Sequence, residues 1–121
     1  MKRLSTGELE GRVMDVLWSS GGWLTPGDVH TVISADHSVT YSTVMTILVR
    51  LWRKGRLDRE RDGRAYAYHP RSTREEDVAS RMQEILGATH DPAVALAHFV
   101  EGLGRDARTQ LRRVLGADRR R

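Results

Sequence analysis

Thr40-Tyr41-Ser42-Thr43-Val44-Met45-Thr46-Ile47-Leu48-Val49-Arg50-Leu51-Trp52-Arg53-Lys54-Gly55 is the stretch whose reading decides the fold. Placed at about 100° per residue, Val44, Met45, Ile47, Leu48, Leu51 and Trp52 fall in an arc of roughly 160°. Ser42, Thr43, Thr46, Arg50 and Arg53 fall in a separate arc of roughly 120°. The periodicity predicts a helix with a core face and a polar face, hydroxyls in its first half and guanidinium groups in its second. Thr40 suits the N-cap, where its hydroxyl accepts from an amide of the first turn. Gly55 suits the stop, where a positive φ is common. A polar helix face alone usually means only solvation, so the flanking sequence decides its meaning.

Toward the N-terminus, Thr25-Pro26-Gly27-Asp28 reads as cap, proline at N1 and an acid in the first turn. A helix with Val29, Val32 and Ile33 buried should follow and end by Ala35-Asp36-His37-Ser38. Trp23-Leu24 is a short apolar bridge, enough for one β-pair. Before it, Ser5 and Glu8 have capping-box spacing. Leu9, Val13, Val16 and Leu17 then recur at helical intervals up to the turn cluster Ser19-Ser20-Gly21-Gly22. Toward the C-terminus, residues 57 to 61, Asp62-Gly63 and residues 64 to 69 read as a hairpin around a type I′ turn. Tyr66 and Tyr68 share one strand face, Ala65 and Ala67 the other, and Pro70 ends the strand. Helix, short strand, helix, helix, hairpin is the order of a winged helix-turn-helix.

Past Ser72 the pattern changes. Thr73 and Glu76 repeat the capping-box spacing, and Val78, Met82, Ile85 and Leu86 form a stripe up to Gly87. Asp91-Pro92 restarts a helix with Ala93, Leu96, Ala97, Phe99 and Val100 as its apolar positions. Gly102-Leu103-Gly104 breaks it. A last helix over residues 106 to 115 should turn Ala107, Leu111, Val114 and Leu115 inward. Three short helices in about 45 residues bury too little for a core of their own. Val78, Met82, Ile85, Leu86, Leu96, Phe99 and Val100 are therefore expected to meet a second copy of the chain; packing back onto the first domain is the alternative. The expected architecture is mainly α with a small β-hairpin. A winged-helix DNA-binding domain spans residues 1 to 71, and a helical dimerisation domain spans 72 to 121.

The 121 residues carry 39% hydrophobic and 30% charged side chains, ordinary for a soluble globular chain. No apolar run reaches the roughly 20 residues that cross a bilayer, so no membrane insertion is expected. Met1-Lys2-Arg3-Leu4-Ser5 has a basic pair but no apolar stretch after it, unlike a signal peptide. Cysteine is absent, which removes disulfides, thiolate metal sites and thiol catalysis and fits a cytoplasmic location. The net charge of +4 is unevenly spread. Residues 50 to 74 hold nine Arg/Lys against three acids, a local +6, while residues 75 to 104 hold Arg81 against six acids, a local −5. Such segregation points to one surface for a polyanion and another for something else. Arg119-Arg120-Arg121 reads as a solvated tail.

Helix-turn-helix geometry puts the first half of the second helix against base edges in the major groove. Ser42, Thr43 and Thr46 occupy that half, and their hydroxyls and methyls suit modest base readout. Arg50 and Arg53 lie further along, toward phosphate, with a bidentate guanine contact as the alternative for Arg50. Tyr41 is either a phosphate contact through its hydroxyl or a core ring. Arg61 and Arg64 flank the tip of the wing, placed for phosphate or a narrow minor groove. Arg59 is either a wing contact or a solvated strand residue, and Lys54 and Arg56 read as solvated.

Nothing here has the form of a catalytic or cofactor site. G-x-S-x-G, H-E-x-x-H and the P-loop are all missing. The five histidines, His30, His37, His69, His90 and His98, are scattered, with no pair at i,i+4. No metal, no cofactor and no enzymatic activity are expected. Two rival readings keep the fold: a winged-helix module that binds an acidic protein, and a DNA-binding protein released by a small ligand. Retention on duplex DNA with steep salt dependence separates the first from DNA binding, and no polar cluster marks a pocket for the second.

The pieces resemble the penicillinase-repressor family of bacterial transcription regulators, the BlaI/MecI type. The resemblance spans about residues 4 to 116. It rests on Gly7-Glu8-Leu9-Glu10 with Val13-Met14 and Leu17-Trp18, and on residues 41 to 55 with Thr43-Val44-Met45-Thr46 and Arg50-Leu51. It also rests on Arg61-Asp62-Gly63-Arg64 with Tyr66 and Tyr68, and on Leu96-Ala97-His98-Phe99-Val100-Glu101. It implies a homodimer that binds a two-fold operator on double-stranded DNA and represses genes of the β-lactamase or penicillin-binding-protein kind, and so a link to antibiotic resistance. It also implies a membrane-bound sensor protease whose signal leads to cleavage of the repressor. In the family the cut falls in an Asn-Phe pair; the matching pair here is His98-Phe99, a departure from that pattern and the candidate cleavage site. A copper-responsive branch uses a cysteine pair that this chain lacks.

Overall fold

The computed structural model describes residues 3 to 119; Met1, Lys2 and the Arg120-Arg121 end of the expected basic tail lie outside the described residues. The element order is α1 (Thr6–Ser20), α2 (Pro26–Ser34), α3 (Tyr41–Arg53), β1 (Leu57–Asp62), β2 (Ala65–Pro70), α4 (Arg74–Gly87), α5 (Pro92–Glu101) and α6 (Arg105–Arg119). The chain divides between Val78 and Ala79, inside α4, into two compact units.

The first unit is a winged helix-turn-helix. Its helices start where the caps dictate. Ser5 with Glu8 and Thr25 with Asp28 each form a reciprocal capping box, and the Thr40 hydroxyl accepts the Thr43 amide. Glycine stops α1 at Gly21, φ 70°, two serines later than the turn cluster suggests, and Gly55 follows α3 with φ 81°. The apolar stripes meet in one core of Leu9, Val13, Met14, Val16, Leu17, Val29, Ile33, Val44, Ile47, Leu48, Leu51, Leu57 and Tyr68. Leu24 closes the sheet with a single bridge to Tyr68, each donating its amide to the other's carbonyl at 3.0 and 2.8 Å.

Three sequence expectations shift. Val32 is exposed: the buried side of α2 centres on Pro26, Val29 and Ile33, and Val32 lies roughly 90° round from that centre. Met45 is exposed for the same reason, because only Val44, Ile47, Leu48 and Leu51 line the middle of the α3 stripe. The hairpin turn moves one residue. Asp62 pairs with Ala65, so Gly63 and Arg64 form the loop. Gly63 has φ 65° while no described non-glycine residue has a positive φ. Glycine at the first central position alone is the pattern of a type II′ turn, not type I′.

Long-range ties fix the start of α4 on this unit. The Trp18 indole N–H donates to the Ser72 carbonyl at 3.0 Å, and Arg74 pairs with Asp15. Arg56 donates Nε to Asp77 Oδ1 at 3.0 Å and a terminal nitrogen to Oδ2 at 2.7 Å. This pair is shielded, with side-chain exposures of 17% and 7%, so Arg56 is not the solvated residue the sequence suggests.

The second unit, taken by itself, is helical and has no interior: among its described residues none is buried. Val114 and Leu115 on α6 are exposed rather than inward, because three short helices offer nothing thick enough to cover them.

Asp77→Ala should destabilise the chain in urea unfolding by somewhat less than the about 3 to 5 kcal/mol of a broken, fully buried pair, since it strands a half-buried guanidinium. At the cap of α4, the Thr73 amide and hydroxyl hold the Glu76 carboxyl below its ordinary pKa. A depressed carboxylate adds stability that is complete above its unfolded-state pKa and is lost as pH falls through the folded-state value. Glu76→Ala should therefore leave amide exchange in the first turn of α4 less dependent on acid pH than in the parent.

Candidate nucleic-acid interface

Burial of the α3 stripe turns the opposite arc outward. Ser42, Thr43, Thr46, Arg50 and Arg53 are all exposed. Their hydroxyls are partly committed. Thr40 donates to the Thr43 hydroxyl at 2.9 Å, and the Thr46 hydroxyl donates to the Ser42 carbonyl at 2.9 Å. The Thr46 oxygen is thereby left as an acceptor, while the Thr43 proton stays free to donate. Tyr41 is not a core ring. It is exposed at the start of α3, with its edge toward His30 at 6.2 Å between centroids. The His30 Nε2 faces the Val39 carbonyl at 3.0 Å, so that nitrogen carries the proton.

The local positive charge is sharper than the sequence count. Of the nine Arg/Lys between residues 50 and 74, five have carboxylate partners. Lys54 and Arg50 share Glu10 at 3.2 and 3.8 Å, Arg56 holds Asp77, Arg71 holds Asp58 at 2.9 Å, and Arg74 holds Asp15. Among the described residues, Arg53, Arg59, Arg61 and Arg64 have none. Register sorts the hairpin charges further. Cross-strand partners share a face, so Leu57, Arg59 and Arg61 lie with Pro70, Tyr68 and Tyr66, while Asp58, Glu60 and Asp62 lie with His69, Ala67 and Ala65. The face that carries the buried Leu57 and Tyr68 is thus the basic one. The period-2 alternation of Leu57-Asp58-Arg59-Glu60-Arg61-Asp62 holds this sidedness in the sequence, although counting charges alone misses it.

Arg59 is not a freely solvated strand residue. Its guanidinium carbon sits 3.6 Å from the Trp52 ring centroid and 3.9 Å from that of Tyr66. Arg61 lies 5.5 Å from the Tyr66 centroid, and Arg64 is exposed in the turn.

In the second unit and the α4 segment leading to it, Val78, Met82, Ile85, Leu96 and Phe99 are exposed and Leu86 and Val100 half-buried. His98 is open to solvent, with Nδ1 3.7 Å from the Glu101 carboxylate. Among the described residues, no group of three or more His, Asp or Glu side chains is placed to hold a metal, and no helix is long and apolar enough to cross a membrane.

A family model described as penicillinase repressor matches residues 6–117. Two curated relatives are both called transcriptional regulator BlaI, from Mycobacterium tuberculosis strains CDC 1551 / Oshkosh and ATCC 25618 / H37Rv. Each is 43% identical over 112 residues, covering 90% of this chain and 81% of its own. A structure described as the solution structure of the DNA binding domain of the repressor BlaI matches 63% of this chain and 93% of its own, at 28% identity and a TM-score of 0.51. The order of elements, the outward face of α3 and these likenesses agree: the chain belongs to the penicillinase-repressor family, whose members are transcriptional repressors and not enzymes.

Proposed function

We propose that this repressor acts in the cytoplasm as a homodimer on a two-fold operator in double-stranded DNA. In this reading residues 1 to 71 bind DNA and residues 72 to 121 pair the two copies. Ser42, Thr43 and Thr46 face base edges, Tyr41, Arg53 and Arg64 reach phosphate, and Arg61 lies along the wing toward the minor groove. Arg50 shares Glu10 with Lys54 and takes a phosphate when DNA competes for it. Phosphate contacts carry affinity, and the hydroxyl face sets sequence and register. The observation that carries the reading is the coincidence of an outward hydroxyl face on α3 with arginines that no carboxylate neutralises.

Pairing through Val78, Met82, Ile85, Leu86, Leu96, Phe99 and Val100 is supported by a second unit without a single buried described residue. Relief of repression by proteolysis at His98-Phe99, under a membrane-bound sensor protease, is supported by the solvent-open His98 at the edge of the apolar stripe on α5. A cut there severs a pairing helix and leaves two weakly held half-site readers. The regulated genes are then of the β-lactamase or penicillin-binding-protein kind. Selection of bound fragments from the source genome tests the reading. An inverted repeat upstream of such a gene, or of a sensor-protease gene, is expected; recovery of no preferred sequence overturns it.

Arg64→Ala should weaken binding to operator and random duplex alike and lower the salt slope by about one ion per half-site. Thr46→Ala should cost less overall but relax preference at one base position in a competition assay; equal loss on both duplexes would remove it as a base reader. Phe99→Ala should raise the dimer dissociation constant, by up to the about 3 to 5 kcal/mol of a truncated buried phenylalanine. Sedimentation should show this together with weaker operator binding, while the first unit melts unchanged.

A further inference from the structure

Arg59 occupies the corner where the last turn of α3 meets the wing. Its guanidinium carbon lies 3.6 Å from the Trp52 ring centroid and 3.9 Å from that of Tyr66. Contact of a guanidinium with aromatic rings restricts the side chain without using any of its five N–H donors. Among the described residues, no hydrogen bond or ion pair takes up any of those donors, and Arg59 is only partly buried. The carboxylates on β1, Asp58, Glu60 and Asp62, lie on the other face of the hairpin and do not compete. The donor fork is thus held in place while none of its donors is spent.

We propose that Arg59 is a phosphate-binding fork at the α3–wing corner, pre-set by Trp52 and Tyr66. The inference rests on the DNA reading above and adds a site to it. A helix in the major groove and a wing directed at the next minor groove are separated by one sugar-phosphate ridge, and that ridge passes the corner between them. The open edge of the guanidinium matches the paired oxygens of a phosphate bidentately. Because the rings already restrict the side chain, less freedom is lost on binding than for an unsupported arginine.

The test uses the full chain and a short duplex of random sequence, with affinity measured across a salt series and folding checked by thermal melting. Arg59→Gln should lower affinity several-fold and reduce the slope of log affinity against log salt by about 0.9 per protomer bound. Arg59→Lys should keep the slope, because the charge remains, yet lose affinity, because an ammonium lacks the planar fork. A wild-type slope in folded Arg59→Gln overturns the inference even if affinity falls, since a mere strut between helix and wing releases no counterion. Lysine binding as tightly as arginine overturns the fork. An independent measurement needs no variant. In the ¹⁵N-labelled parent, the Arg59 Nε–H resonance should move on adding duplex and return as salt rises; a resonance that stays put while duplex binds overturns the proposal. If the parent shows no salt-dependent duplex binding at all, the DNA reading itself fails, which is a different result from a failure at Arg59 alone.

Discussion

Burial of the Val44, Ile47, Leu48 and Leu51 stripe is the constraint from which the first unit follows. These four side chains are essentially removed from water, and each such residue contributes about 1.5 to 3 kcal/mol relative to exposure. That burial fixes the rotation of α3 about its own axis. With the stripe held against α1 and α2, the hydroxyls of Ser42, Thr43 and Thr46 have no choice but to face outward. The function of the helix is decided by the side it does not bury.

The hairpin obeys the same rule with a period of two. Leu57 and Tyr68 must enter the core, and a strand alternates its faces, so Arg59 and Arg61 share the face of Leu57 while the acids take the other. Aromatic rings then hold Arg59 at the junction with α3. Glycine at 63 is required because its backbone has φ 65°, a conformation that costs any side chain energy. Three acids of the wing and of α1 are not spare. Glu10, Asp15 and Asp58 each neutralise a base and leave the surplus on a few arginines.

The two units differ in kind. The first has a closed core around Tyr68 and Leu48, with α4 tied to it by Trp18, Arg74 and the shielded Arg56–Asp77 pair. The second has regular helices, α5 capped by Asp91, but no buried described residue. Helices of this length gain little from propensity alone and depend on packing an apolar face. Val78, Met82, Ile85, Leu96 and Phe99 accordingly stay exposed on α4 and α5.

What the sequence determined by itself is the local part: caps at Ser5, Thr25, Thr40 and Thr73, stops at Gly21 and Gly55, the amphipathic α3 and the hairpin. Those features depend on neighbours within a turn or two, so their physics is written along the chain. Single-residue limits of the same reading appear at Met45 and Val32, which sit at the rim of a stripe where only the neighbouring helices decide burial. The turn register at Gly63-Arg64 also depended on strand pairing rather than on the dipeptide. Tertiary structure alone decided which charges are neutralised. Arg56 meets Asp77 across 21 positions and Arg74 meets Asp15 across 59, distances in sequence over which no period or cap carries information. Arg59 against Trp52 and Tyr66 is of the same type: a helix, a strand and its partner must all fold before that contact exists.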